Sequence, residues 1–177
     1  PAASALRAIP VPEAVTAMMT ALPASTGKVR MALVKYLGEL RHQPAVPEIL
    51  KDAASPDVEP HRVAWFALAN IGDPAARDTL AKAAQVPGVL DRAKATASYL
   101  LYAQRRAESG SVDECEAICR ELLSSRTAPT EGNVQCAALS TLVGVIGERG
   151  LADLLAALDS ANMGLRGTAL KLAAAIP

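Results

Sequence analysis

Apolar residues recur at helical spacing along most of the chain, in segments short enough to be separate helices. In Val29–Leu40 (VRMALVKYLGEL), Val29, Leu33, Leu37 and Leu40 form one stripe, and Ala32, Val34 and Tyr36 extend it sideways. An apolar face that wide has to be covered from two sides, as it is where helices stack in a linear array. Thirty-four residues later RVAWFALANIGD puts Val63, Leu68, Ile71 and Gly72 where Val29, Val34, Leu37 and Gly38 stood. Two helices of one design at that spacing predict a repeat architecture.

The remaining segments fit alternation between a shorter first helix and a longer, more apolar second one. Val11–Leu22 has Pro12 and Glu13 in its opening turn, where a missing N–H is harmless and an acid suits the helix dipole; Pro23 ends it. PAVPEILKDAA leads through Ser55-Pro56-Asp57 to the helix carrying Trp65. Asp73-Pro74 predicts an N-cap ahead of AARDTLAKAAQ, Pro87-Gly88 is a turn, and Val89–Arg106 is the least faithful copy, closed by Glu108, Ser109 and Gly110.

Ser111 with Glu114 three residues on predicts a capping box. A long loop, Ser124–Asn133, is expected before QCAALSTLVGVIG, and RGLADLLAALDS then leads to a final helix in GLRGTALKLAAAI. No strand-length alternation is present, so the fold class is all-α. The opening ASALRAIP predicts the last turns of a helix stopped by Pro10, and its Ala8-Ile9-Pro10 recurs as Ala175-Ile176-Pro177 after 167 residues. Beginning at Pro1 with no signal segment, the chain is expected to be a processed product or a piece of a longer protein, with no compartment assigned. Each end is then expected to expose apolar residues, Pro1–Ile9 and Leu170–Ile176, that favour end-to-end self-association at high concentration.

Composition sharpens the partner question. Lys plus Arg and Asp plus Glu both number 18, so no global field draws the chain to nucleic acid or anionic lipid, and its apolar runs are too often broken by charge for a membrane span. With 51% hydrophobic but only 3% aromatic residues, the core is expected to be aliphatic and rich in alanine. Cys115 and Cys119 share an apolar stripe with Ile118 and Leu122, and Cys136 shares one with Leu139 and Val143, predicting buried, unreactive thiols; a Cys119–Cys136 bridge is the one disulfide the pattern leaves open.

Chemistry is sparse. His42 and His61 lie on different repeats with no acid or cysteine at i+3 or i+4, so no metal or other cofactor is expected, and both are placed at exposed helix ends or loops. No nucleophile stands beside a base, and no glycine-rich loop could cradle a phosphate. Asp113, Glu114, Glu116 and Glu121 are expected to form a solvated acidic face. The chain is therefore read as not an enzyme.

One pattern predicts a binding surface. Lys28, Met31 and Lys35 share a stripe that maps onto Arg62, Trp65 and Ala69, with Arg92 and Tyr99 in similar places further on. Stacked copies would make a ladder of basic and aromatic side chains, the types enriched at interface hot spots. The competing expectation is that Trp65 fills the space between successive repeats.

Val29, Arg30, Ala32, Leu37 and Gly38, then Ala67, Leu68, Ile71, Gly72, Asp73 and Pro74, then Arg166, Ala169 and Leu170 carry a pattern that resembles the HEAT repeats, in particular the short bacterial kind named after phycobilisome lyases. The resemblance implies a right-handed α-α superhelix, an α-solenoid of about five HEAT-like helix pairs. These form a single domain over 1–177, with repeats at approximately 10–42, 43–72, 73–110, 111–147 and 148–177. It implies a scaffold for a protein partner, with second helices lining the concave face. Nucleic-acid binding, as in HEAT-like DNA glycosylases, is a second class that the neutral charge argues against, and a chromophore-lyase activity is a third. Iron hydroxylases built on such repeats would need His-Glu pairs on several helices, which this chain lacks.

Overall fold

The computed structural model describes residues 12–175. The expected helix end before Pro10, the Ala-Ile-Pro recurrence and the apolar residues Pro1–Ile9 and Ile176 lie outside them. All regular structure among the described residues is helical, in the expected alternation of first and second helices: α1 Pro12–Ala21 and α2 Gly27–Glu39; α3 Val46–Ala53 and α4 Val58–Ile71; α5 Arg77–Ala83 and α6 Val89–Glu108; α7 Val112–Ser125 and α8 Gly132–Ile146; α9 Leu151–Leu158 and α10 Met163–Ala173. Short connections between neighbours that pack together make helical hairpins, the element from which α-solenoids are stacked. The chain divides into two compact units, Pro1–Tyr102 and Ala103–Pro177.

In the first unit, α4 packs on both α3 and α2. The α2–α4 approach is close because Gly38 has no side chain: a Cβ there would stand 2.6 Å from Ala67. Buried Asn70 then donates from Nδ2 to the Gly38 carbonyl at 2.9 Å, so one second helix reads the backbone of the one before it. The aligned glycines consequently do different work. Gly72 ends α4 in the left-handed region (φ 73°), its N–H on the Leu68 carbonyl. Gly38 lies inside α2, and the left-handed residue there is Arg41 (φ 51°), with His42 N–H on Leu37 O and Arg41 N–H on Gly38 O, both 3.0 Å.

Val29, expected in the buried stripe, is 64% exposed, and the buried set is Val34, Leu37 and Gly38. Around them Leu22, Ile49, Leu68 and Leu80 are fully buried, giving the aliphatic core the composition implied. Asp73 caps the turn before α5 as expected, accepting from Ala75 N at 2.9 Å.

In the second unit, α7 packs on α8, and α8 and α9 pack on α10, around Leu139, Val143, Leu154, Ala157, Leu165 and Ala169. Two local expectations are corrected. The ten-residue loop shortens to Arg126–Ala128, because α7 runs to Ser125 and a 3-10 turn, Pro129–Glu131, leads directly into α8; an Arg126–Glu131 ion pair at 3.2 Å spans the gap. The capping box does not form either. Arg106, in the last turn of α6, donates to Ser111 Oγ and to Glu114 Oε2, both at 2.7 Å, and so engages both side chains that would have capped α7.

All three cysteines are free, Cys115 and Cys119 buried and Cys136 half-buried. The Cys119 thiol is pushed far above the ordinary thiol range, first by its hydrogen bond with Cys115 and then by burial. Cys136 packs instead against the Leu139–Ala169 cluster, and the bridge left open by the sequence is not made.

Candidate functional site: a groove between successive helix pairs

The expected ladder is not assembled as a surface of basic and aromatic side chains. Lys28 and Lys35 are exposed and Met31 is half-buried, but Trp65 is only 4% exposed and Tyr99 only 1%. Tyr99 lies 6.3 Å from Tyr102, ring to ring, inside the core. Arg62 is held by Asp91, Nε to Oδ1 at 2.6 Å, with Glu59 at 3.6 Å; Arg92 is half-buried. The aromatic residues are thus structural, for the reason weighed as the alternative: a helix covered on two sides buries its largest side chains.

His61 is also relocated. It stands in the opening turns of α4, half-buried, with its ring stacked on Trp65 at 4.3 Å and 16° between planes. Its Nδ1 lies 3.4 Å from the Ser55 carbonyl, while its buried Nε2 has no hydrogen-bond partner among the described residues. His42 sits half-buried in the turn after α2. The acidic face of α7 is partly engaged: Glu114 binds Arg106, and Glu116 binds Arg120, with Arg149 at 3.8 Å.

What the structure does assemble is a groove that recurs where one helix pair meets the next. Between the second and third and between the fourth and fifth pairs it is lined by the first helix of each pair and by the N-terminal part of the second. Between the first and second pairs it is a small cavity of about 100 Å³ lined by Gly27, Arg30, Met31, Asp52 and Val63 among others. Arg30 donates to Asp52 Oδ1 and to the Leu22 carbonyl, both at 2.6 Å, which ties the pairs together across it. The Asp52 hydrogen bond raises the Arg30 guanidinium above its ordinary pKa.

Between the fourth and fifth pairs, Arg120, Leu123 and Ser124 of α7 face Asp153, Ala156 and Ala157 of α9, with Gln135 behind them. Here Arg120 reaches Asp153 at 3.0 and 3.1 Å, again joining one pair to the next. Gln135 donates to the Leu123 carbonyl at 3.1 Å and accepts from Asn162 Nδ2 at 3.3 Å, while Asn162 Oδ1 caps α10.

The groove between the second and third pairs uses the same positions with different residues. Leu50 and Ala53 of α3 and Ala54 just after it stand at the i, i+3, i+4 spacing of Arg120, Leu123 and Ser124, and Thr79, Lys82 and Ala83 of α5 match Asp153, Ala156 and Ala157. Leu50 and Thr79 thus replace the Arg120–Asp153 pair, and Trp65 with His61 replaces Gln135 as the back wall. Val86, Pro87, Gly88 and Asp91 complete a cavity of about 570 Å³. Asp91 is matched by Arg62, whereas Lys82 is exposed and its ammonium makes no hydrogen bond or ion pair among the described residues.

A family model described as PBS lyase HEAT-like repeat matches residues 62–85, from the middle of α4 through the Asp73 turn and α5. That stretch is similar to a HEAT-like repeat, and the all-helical pairs on either side of it are consistent with an α-solenoid. The matched stretch contains Trp65, Thr79, Lys82 and Ala83, so this groove lies largely on a HEAT-like frame. No curated protein sequence matches the chain. Among the described residues no cluster of three or more His, Cys, Asp or Glu could hold a metal ion, and no helix is long and apolar enough to cross a membrane.

Trp65 and Arg62 were singled out by the sequence; Leu50, Thr79 and Lys82 were not. Their signal was available only by aligning the first helices with one another, because a groove wall made half of first helices is invisible to a search confined to the second.

Proposed function

We propose that this HEAT-like repeat chain is a non-enzymatic scaffold that recognises a protein partner, and that the groove between its second and third helix pairs is a principal contact. One observation carries the reading. In the groove of the fourth and fifth pairs the Arg120–Asp153 pair crosses between the first helices, whereas here the equivalent positions are Leu50 and Thr79, the walls are Leu50, Ala53, Ala83 and Val86 over an aromatic stack, and the Arg62–Asp91 pair leaves an unengaged lysine on the rim. Concave, mostly apolar pockets with a few polar groups are the usual form of binding sites, and about 570 Å³ is within their range. Helical repeats of this kind generally serve protein interaction, which supports the same reading.

The test is site-directed photo-crosslinking. A benzophenone amino acid at position 79 should trap a discrete protein from lysate. That protein, purified, should bind the unmodified chain with defined stoichiometry after nuclease treatment. Trapping of nucleic acid alone, or no adduct at this or any other surface position, would overturn the scaffold reading.

A further inference from the structure

We propose that the groove between the second and third helix pairs takes an extended acidic segment of its partner, with an aliphatic side chain between Leu50, Ala83 and Val86 and a neighbouring carboxylate on Lys82. This deepens the scaffold reading and rests on it. Charge complementarity selects the occupant. Two lining residues carry formal charge, Asp91 and Lys82; Asp91 is matched by Arg62 at 2.6 Å, and the lysine is left to face an incoming group.

The groove of the fourth and fifth pairs is an internal comparison. Ala156 stands where Lys82 does, the Arg120–Asp153 pair crosses the walls, and an exposed carboxylate, Asp159, lies on the lining without a partner among the described residues. One frame therefore presents opposite free charges at its two sites, and an acidic segment fits the first and is repelled by the second. Trp65 is only 4% exposed and carries His61 stacked on one face, so it offers an aliphatic group a wall and a nucleobase no open stacking face.

The experiment is selection of a phage-displayed random dodecapeptide library on the immobilised full chain. Enriched sequences should carry Asp or Glu beside an aliphatic residue, and the synthetic peptides should change the emission of Trp65, the chain's one tryptophan. Binding should weaken with added salt and fall about five- to tenfold in Lys82→Glu, as expected when an attractive exposed pair becomes repulsive. Asp159→Lys, in the other groove, should leave it unchanged. Since Lys82 is exposed, Lys82→Glu should keep the helical circular dichroism of the parent.

Enriched peptides without acidic bias would overturn the proposal, as would acidic peptides that bind Lys82→Glu as tightly as the parent, or no enrichment at all. So would an oligothymidylate that shifts Trp65 emission and loses affinity in Lys82→Glu. Peptides that bind away from Trp65 would sink this proposal and leave the scaffold standing, whereas the scaffold itself fails only if the crosslinking yields no protein at any surface position.

Discussion

Replacing Gly38 by alanine should destabilise the first unit although alanine is the better helix former. The substitution alone favours α2 by about 1 kcal/mol. Its Cβ, however, would stand 2.6 Å from both Cα and Cβ of Ala67, more than half an ångström inside ordinary carbon contact, and one of the two atoms is backbone. Helices α2 and α4 must separate, which for an overpacked core costs about 1–3 kcal/mol. Separation also stretches the buried Asn70 Nδ2–Gly38 O bond of 2.9 Å, with a further net loss of about 1 kcal/mol. The balance is a loss of about 1–3 kcal/mol. Urea unfolding followed by the emission of Trp65, which lies on α4 itself, would measure it. Two companions isolate the cause. Gly38→Ala with Ala67→Gly takes away the Ala67 methyl but leaves its Cα 2.6 Å from the new Cβ, so it should recover only part of the loss. Gly144→Ala, in α8 with nothing within 4 Å of the added Cβ, should stabilise the second unit by about 0.5–1 kcal/mol by circular dichroism. A Gly38→Ala variant as stable as the parent, or more so, would refute the close-approach argument.

Trp65→Ala should lose about 3–5 kcal/mol by the same urea assay read by circular dichroism, since it empties a nearly fully buried site; a parent-like midpoint would return Trp65 to the surface. Ser111→Ala should cost well under the ~1 kcal/mol of a lost N-cap, and Arg106→Ala should cost more, because the arginine and not the serine organises the start of α7; the reverse order would restore the capping box. Glu48 is held below its ordinary value of 4.5, first by its hydrogen bond with Lys51 and then by Arg30. A depressed carboxyl stabilises the fold above its ordinary value and loses that contribution as pH falls through the lowered one, so Glu48→Gln should flatten the loss of stability below about pH 4.5; an unchanged acid profile would count against it. Native protein should react with a thiol reagent slowly and at Cys136 first, and all three cysteines should react in urea; rapid labelling of Cys115 or Cys119 would contradict their burial.

The helices were legible because each is long enough for its apolar stripe to outweigh local accidents, and because Gly72, Asp73-Pro74 and Pro87-Gly88 punctuate them with residues suited to turns. What side chains do at the ends was less legible. Nothing local in Ser111-x-x-Glu114 reveals that Arg106, on the preceding helix, will engage both. The repeated glycine was seen, but its role at Gly38 depends on Ala67 of another helix, a relation that spacing does not encode. The ladder failed for a related reason: aligning second helices locates equivalent positions, but not whether those positions face solvent or the next pair, and Trp65 and Tyr99 face inward. The groove was missed because Lys82 is an ordinary surface lysine until Leu50 and Thr79 are set beside Arg120 and Asp153.

At three junctions between helix pairs an arginine of the earlier pair holds an aspartate of the later one. Arg30 in the first pair holds Asp52 in the second, Arg62 in the second holds Asp91 in the third, and Arg120 in the fourth holds Asp153 in the fifth. Each of these three junctions therefore has a polarity written in charge, with the cation on the earlier pair and the anion on the later one. Excising or transposing a pair would strand half-buried ions on the surfaces so created, Arg30 and Asp52 each being less than one-fifth exposed. Exchanging a pair at one of these junctions therefore means matching ion to ion as well as core to core, a constraint on the order of repeats that is separate from their apolar packing.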